Sequence, residues 1–474
     1  MSELHDLTAL EQAAAIRTRE ISAVELAEHY LARTEALNDT VGAFITVTPE
    51  IALEQARSAD ATVGDCANPD DLPVLHGVVI PVKDLNFQAG VRCTLGSATF
   101  DIVPYGDDNV VLRMKQGNLV MTGKTNTPEF GLPCYTENAV APAARTPWDL
   151  TRSAGGSSGG AAAAVASGLA AAAHGSDGGG SIRIPASVCG LVGIKPSRGR
   201  ISNGPLRDPV GEFPVSGPIA RTVRDAAALL DVMAGAFPDD PYPAPPLLAG
   251  ETFLRAAGRE PGVLRIGRFA QPIAAGVVIH EDCLEAYEQA SALLEEFGHV
   301  VEDIDPPLPE MVVPAFEIIW SVLAQLTPVE PDKEELLQPL TRHLRERGSR
   351  QSGLDLAGAV SFARVLARGA INATSPYDVI LTPGLALPPV PVGHFTEGGD
   401  SAVNFERQKA FTPFTAVFNL TGQPAMSLPL HWNAEGLPIG VQIVGRPYDE
   451  MTLISLAAQL EQARPWLGRH PDLW

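Results

Sequence analysis

Two serines in glycine-rich turns, with one lysine far upstream, are the residues of this chain best equipped for chemistry. The turns are Arg152-Ser153-Ala154-Gly155-Gly156-Ser157-Ser158-Gly159-Gly160 and Gly175-Ser176-Asp177-Gly178-Gly179-Gly180-Ser181-Ile182-Arg183-Ile184-Pro185. Glycine tolerates positive φ and lets the backbone come close to a ligand. Three consecutive glycines before Ser181 can aim successive N–H groups into one space, which would form an oxyanion hole beside a hydroxyl. If a helix runs from Ile182, its N-terminus also favours negative charge developing at Ser181. The lysine is Lys83, at the end of the apolar run Val78-Val79-Ile80-Pro81-Val82. Burial there would disfavour an ammonium and leave an amine able to accept a proton.

Other readings of these turns fit less well. A P-loop ends in Gly-Lys-Ser/Thr, and neither turn contains that ending. A flexible linker is not expected where apolar elements flank the stretch so closely. Gly155-x-Ser157-x-Gly159 matches the nucleophile elbow of α/β-hydrolases, but that elbow needs a preceding strand and a late histidine. Arg145–Ser153 does not read as a strand, and the sequence around His394 and His431 gives neither a triad role. His174 reads as a hydrogen-bonded polar residue rather than a base, and Lys124 as structural or solvated. No H-E-x-x-H or C-x-x-C pattern occurs, so no metal and no cofactor are expected.

The elements that must position these residues alternate in type. Residues 8–38 read as two helices, opened by the capping boxes Thr8-x-x-Glu11 and Ser22-x-x-Glu25. Val78–Val82 reads as a buried strand, Asn109–Gln116 as a helix and Leu119–Met121 as a strand. Gly123–Pro128 reads as a polar loop, and Gly190–Ile194 as another buried strand. A helix near Val223–Ala234 is followed by a proline-rich linker from Pro238 to Pro246. Residues 247–370 are more helical and charged and read as a cover over the core, in which Phe316, Trp320 and Phe362 are core or pocket aromatics. Strands return at Tyr377–Pro383, Ala425–Pro429 and Ile439–Val444, and Met451–Ala463 is a closing helix. This alternation predicts an α/β fold with a largely covered sheet.

Composition narrows the setting. A chain of 474 residues can bury a large core in one large or two medium domains. Its formal charge of −22 repels phosphate backbones, so no nucleic-acid partner is expected. Cys66, Cys93, Cys134, Cys189 and Cys283 are scattered and odd in number, as reduced thiols would be. The start, Met1-Ser2-Glu3-Leu4-His5-Asp6, is polar, and the small-residue run Ala161–Ala173 is too short to span a bilayer. The expected location is the cytoplasm, without membrane association; a homodimer is expected on frequency alone.

The two turns together resemble the amidase signature hydrolases. That family carries a Gly-Gly-Ser-Ser-Gly-Gly turn, here Gly155–Gly160, followed by a Gly-Ser/Thr-Asp-x-Gly-Gly-Ser-Ile-Arg-x-Pro segment, here Gly175–Pro185. It also carries an apolar strand ending in lysine, here Val79–Lys83. Gly123–Gly131, Lys195–Arg200 and Gly440–Gly445 look like further family motifs, in the expected order along the whole chain. The resemblance implies a central mixed β-sheet covered by helices on both faces, with a helical cover region. It divides the chain into N-terminal helices (1–74), a signature core (75–237), a cover and specificity region (238–370) and a C-terminal return to the sheet (371–474). It implies a triad of Lys83, Ser157 in a cis peptide, and the nucleophile Ser181. The oxyanion hole falls to Gly178, Gly179 and Gly180 with the Ser181 amide. Asp177 and Arg183 are implied as supports of the loop, and Cys134 and Tyr135 as substrate-binding residues. The implied activity is hydrolysis of small-molecule carboxamides through an acyl-enzyme, with aryl, cyclic and carbamate substrates all open. Ala154 departs from the pattern, since many members have proline there. The triple glycine and the Ser-Arg-Gly-Arg tail look similar to bacterial members acting on cyclic or non-natural amides, such as nylon-oligomer cyclic-dimer hydrolases. The main alternative is an amidotransferase-type glutaminase that works with a partner subunit. Phe213–Pro218 stands where such glutaminases carry a partner-specific segment.

Overall fold

The computed structural model describes residues 3–206 and 210–474. The polar start read from the sequence includes Met1 and Ser2, which lie outside the described residues. Helices α1 (Ala9–Thr18) and α2 (Ala23–Val41) open the chain, each begun by its expected capping box. In the first box Glu11 N donates to Thr8 Oγ1 at 3.2 Å and Thr8 N donates to Glu11 Oε2 at 2.8 Å. Such a cap contributes about 1 kcal/mol to a helix start. Next come β1 (Phe44–Val47), α3 (Pro49–Asp65), β2 (Val82–Lys83), α4 (Asn109–Gln116) and β3 (Gly123–Thr125). β3 pairs antiparallel with β1 and parallel with β2 in a small sheet.

Three expectations shift here. The Val78–Val82 run is buried, but only Val82 and Lys83 pair as a strand, with Val79 bridging Val120. The strand expected at Leu119–Met121 is displaced to β3, inside what reads as a polar loop. Hydropathy misses β3 because its charge is neutralised out of sequence: Lys124 is wholly buried against Asp84, Nζ to Oδ1 3.1 Å.

The signature segment supplies α5 (Gly159–Ala166), β4 (Ala172–Asp177), α6 (Arg183–Cys189), β5 (Val192–Lys195), β6 (Val215–Ala220) and α7 (Val223–Met233). Then follow α8 (Phe253–Ala256), β7 (Arg265–Arg268), α9 (Glu281–Glu296) and β8 (Val300–Asp303). Three longer helices come next, α10 (Val312–Leu326), α11 (Pro339–Ser349) and α12 (Gly353–Thr374). The chain ends with β9 (Val379–Pro383), α13 (Ser401–Phe411), α14 (Val417–Thr421), β10 (Ala425–Trp432), β11 (Pro438–Gly445) and α15 (Glu450–Ala463).

Among the described residues the main sheet has eight strands in the order β4-β6-β5-β10-β11-β9-β7-β8. Pairing is antiparallel from β4 to β9 and parallel across β9, β7 and β8, so the sheet is mixed. Helices α7, α9 and α15 cover one face, where Leu229, Leu230, Leu294 and Leu456 meet Met426, Leu428 and Ile443. Helices α5 and α6 cover the other. Burial on both faces explains why β10 and β11 read as nearly continuous apolar runs. The cover is narrower than the sequence suggests: β7, α9 and β8 extend the main sheet, and the covering helices are α10 to α12. β7 is hard to read because Arg265 and Arg268 flank it, each paired with a carboxylate of β8, Glu302 and Asp303. Among the described residues, no helix is long and apolar enough to cross a membrane.

Candidate active site

Helix α5 brings the first serine turn against the core. Every residue of α5 is buried and none is larger than valine. A Cβ on Gly160 would lie 2.3 Å from Asn126 N and 2.5 Å from Ala43 O, so only glycine lets the helix pack this closely on the small sheet. At its start the Gly156–Ser157 peptide bond is cis. Ser158 N donates to Ser181 O at 3.1 Å, which joins the two serine turns backbone to backbone.

Lys83 reaches the same place from β2. Its side chain is wholly buried, and Nζ donates to Ser157 Oγ at 2.8 Å and to Ser176 Oγ at 3.1 Å. His174, also buried, accepts from Lys83 N at Nδ1 (3.3 Å), and its Nε2 lies 3.1 Å from Ser216 Oγ. Burial, with Lys83 and Lys124 nearby, lowers the His174 pKa to about 3, so the imidazole is neutral. It hydrogen-bonds to neither site serine, in keeping with the satisfied role read from the sequence. Lys124 is structural, tied to Asp84 and to Asn86 O at 2.6 Å.

The second turn is held from beneath by Asp177 at the end of β4. Its carboxylate accepts from Gly180 N (2.8 Å), Ile182 N (3.1 Å), Arg183 Nε (3.0 Å) and Nη2 (2.9 Å), and Asn419 Nδ2 (2.8 Å). Burial alone would raise this carboxyl; the Arg183 guanidinium and its hydrogen bonds outweigh burial and hold it well below the usual carboxylate range. Arg183 extends the network to Thr415 O, Gln442 Oε1 and Asn419 Oδ1. Asp177 and Arg183 thus tie the second turn to Thr415, Asn419 and Gln442. Thr415 Oγ1 donates to Gly179 O at 2.6 Å, and a Cβ on Gly180, whose φ is +132°, would lie 2.5 Å from that hydroxyl.

Of the three glycines expected to stabilise an oxyanion, one has its N–H already engaged: Gly180 N donates to Asp177 Oδ1 at 2.8 Å. The N–H groups of Gly178, Gly179 and Ser181 make no hydrogen bond among the described residues and are the available donors. Ser181 sits one residue ahead of Ile182, the N-cap of α6, rather than on its first turn. Its Oγ has no hydrogen-bond partner among the described residues.

Two cavities meet at these serines. One is lined by Ser181 and Gly179 with Cys134, Ile184, Phe316 and Trp320. The other is lined by Ser157, Ser176 and Gly178 with Asn86, Phe130 and Trp320. Cys134 lines the same cavity as Ser181. Tyr135 does not: its hydroxyl accepts from Asn404 Nδ2 at 2.8 Å, its ring stacks on Phe395, and it lines a third cavity with Glu129 and Glu137. Phe316 and Trp320 are pocket residues, whereas Phe362 is 41% exposed on α12. Thr415, Asn419 and Gln408 escaped the sequence reading; the one available signal was the presence of Thr415 and Asn419 inside the apolar stretch Phe411–Leu420. Away from both serine cavities, Glu3, His5 and His29 form a group with metal-ligand side chains, His5 Nδ1 lying 2.9 Å from His29 Nε2.

Comparison with known proteins shows the family. The family model named Amidase matches residues 25–454. AmiB2 of Mycobacterium tuberculosis is 40% identical over 98% of both chains. A 6-aminohexanoate-cyclic-dimer hydrolase from Paenarthrobacter ureafaciens is 35% identical, over 98% of this chain and 96% of its own. A solved structure of a 6-aminohexanoate cyclic dimer hydrolase superposes with a TM-score of 0.90 at 33% identity, covering 100% of both chains.

Proposed function

The chain belongs to the amidase family, and from that premise we propose that it hydrolyses carboxamides through an acyl-enzyme formed on Ser181. The observation that carries the reading is the contact of a wholly buried lysine amine with a serine hydroxyl, Lys83 Nζ to Ser157 Oγ 2.8 Å, in the turn whose Ser158 N bonds Ser181 O at 3.1 Å. Burial favours the neutral amine, which takes a proton from Ser157 as Ser157 takes one from Ser181. Ser181 Oγ attacks the carbonyl carbon, and the N–H groups of Gly178, Gly179 and Ser181 stabilise the oxyanion. Ser157 returns the proton to the amide nitrogen as the C–N bond breaks and the amine leaves. Water then attacks the Ser181 ester by the same relay and releases the carboxylic acid. Catalytic hydrogen bonds often close only on a bound substrate, which accommodates the open Ser181 hydroxyl. A cytoplasmic setting belongs to the same reading and is supported by five unpaired cysteines, four of them buried.

The purified chain, alone, is expected to turn over members of a panel of anilides, primary amides, lactams and carbamates. Ser181→Ala and Lys83→Ala should each lower kcat/KM by roughly 10⁴-fold or more, with Ser157→Ala nearly as severe. Full activity in Ser181→Ala would rule the reading out. Hydrolysis of glutamine seen only with a partner subunit would favour the amidotransferase alternative. An esterase triad would need a histidine at the serines, but His431 bonds Gln289 and His394 packs on Phe395.

A further inference from the structure

We infer that the enzyme selects amides joining a compact, uncharged, apolar acyl group to a larger and more polar amine, an inference that rests on the chemistry proposed at Ser181. The two serines divide the substrate between them. Ser181 keeps the acyl group and lines one cavity, while Ser157 must reach the leaving nitrogen and lines the other. The acyl group therefore occupies the first cavity and the amine the second.

Their chemistry differs. The acyl cavity encloses about 120 Å³, close to the roughly 150 Å³ apolar cavity that takes up benzene in another protein. Ile184, Val313, Phe316, Trp320 and Leu420 form its walls. Apart from Ser181 itself, the polar side chains Gln408, Lys409 and Thr412 along it are already paired with protein. Gln408 Oε1 accepts from Cys134 N (2.9 Å) and its Nε2 donates to Asn404 Oδ1 (2.6 Å). Lys409 is paired with Glu317 and Glu406, and Thr412 Oγ1 donates to Gln408 O. A charged acyl substituent would be stripped of water there without gaining a partner. The amine cavity encloses about 450 Å³, and its walls include Asn86, Asn203, Ser216 and Thr327.

Trp320 and Leu132 line both cavities and separate them. The Trp320 ring lies over the oxyanion loop, 3.5 Å from where a Cβ on Gly178 would sit. It stacks on Phe316, which stacks on Phe213, with ring centroids 5.3 and 5.7 Å apart. Phe316 lines the acyl cavity and not the amine cavity, so this ring, rather than Trp320, sets acyl length without limiting the amine.

The test is a p-nitroanilide series with acetyl, isobutyryl, benzoyl, dodecanoyl and succinyl groups, and a benzamide series with amines of increasing size. Fluorophosphonate labelling of Ser181 is run in parallel. Expected is a kcat/KM maximum at isobutyryl to benzoyl, with dodecanoyl and succinyl lower by roughly tenfold or more, and wide tolerance in the amine series. Phe316→Leu and Phe316→Ala should move the acyl optimum to longer groups and leave the amine profile in place. A labelled enzyme that prefers dodecanoyl or succinyl, or whose Phe316 variants shift the amine profile instead, would overturn the selectivity while leaving the Ser181 chemistry standing. A wild-type enzyme that fails to label would overturn both.

Discussion

At the residue scale the site depends on a buried ion pair. Asp177 and Arg183 are essentially fully buried and face each other through two hydrogen bonds. Removing one partner of such a pair leaves an uncompensated charge, at a cost of about 3–5 kcal/mol. Arg183→Met should therefore lower the unfolding free energy by an amount in that range, read from a denaturant titration, and disorder the Gly178–Ser181 donors. The pH dependence has a definite sign. Asp177 is held below its ordinary value in the folded chain, so its stabilisation is complete above the unfolded pKa of about 3.9 and is lost as pH falls further. His174 acts earlier. The unfolded chain takes up a proton there below about 6.5, whereas the folded chain resists until about 3. Stability should fall between those values, by up to about 1.4 kcal/mol per pH unit from this group. Equilibrium unfolding of His174→Gln, measured from pH 7 to 4, should show a shallower decline than the wild type; an unchanged slope would contradict the burial argument.

At the element scale, small residues decide how near the serines come to Lys83. Gly160→Val puts a branched side chain where Asn126 N and Ala43 O already stand. The variant is expected to lose about 1–3 kcal/mol or more of unfolding free energy and most of its activity, since α5 must retreat from β3. The same crowding governs what was legible. α4, α7, β9 and α15 matched their expected spans closely because they carry ordinary apolar periodicity and clear boundaries. β3 and β7 did not, because their lysine and arginines are neutralised by residues far along the chain, Asp84 for β3 and Glu302 and Asp303 for β7. β4 lay hidden in the Ala/Gly/Ser-rich stretch, where composition carries no period.

At the scale of the whole molecule, the mixed sheet holds the signature loops while helices α10, α11 and α13 close over them. Glu317 of α10 ties these helices together, paired with Lys409 of α13 and Arg347 of α11. Glu317→Gln should lower the thermal midpoint and raise KM more than it lowers kcat, as steady-state kinetics and a melting curve can read. The proposed triad positions could be picked out because each lies in a short motif that resembles one of the family's. The cavities were not, since Leu132, Ser181, Phe316 and Leu420 converge from separate segments that share no local pattern. The most direct test of the chemistry is to trap the acyl-enzyme. Acid quenching during turnover of an activated benzoyl ester, followed by tryptic mapping, should find the benzoyl mass on the peptide 153–183, with fragment ions placing it on Ser181. Benzoylation of Ser157 or any other residue instead, or unmodified protein despite a burst of released alcohol, would contradict it.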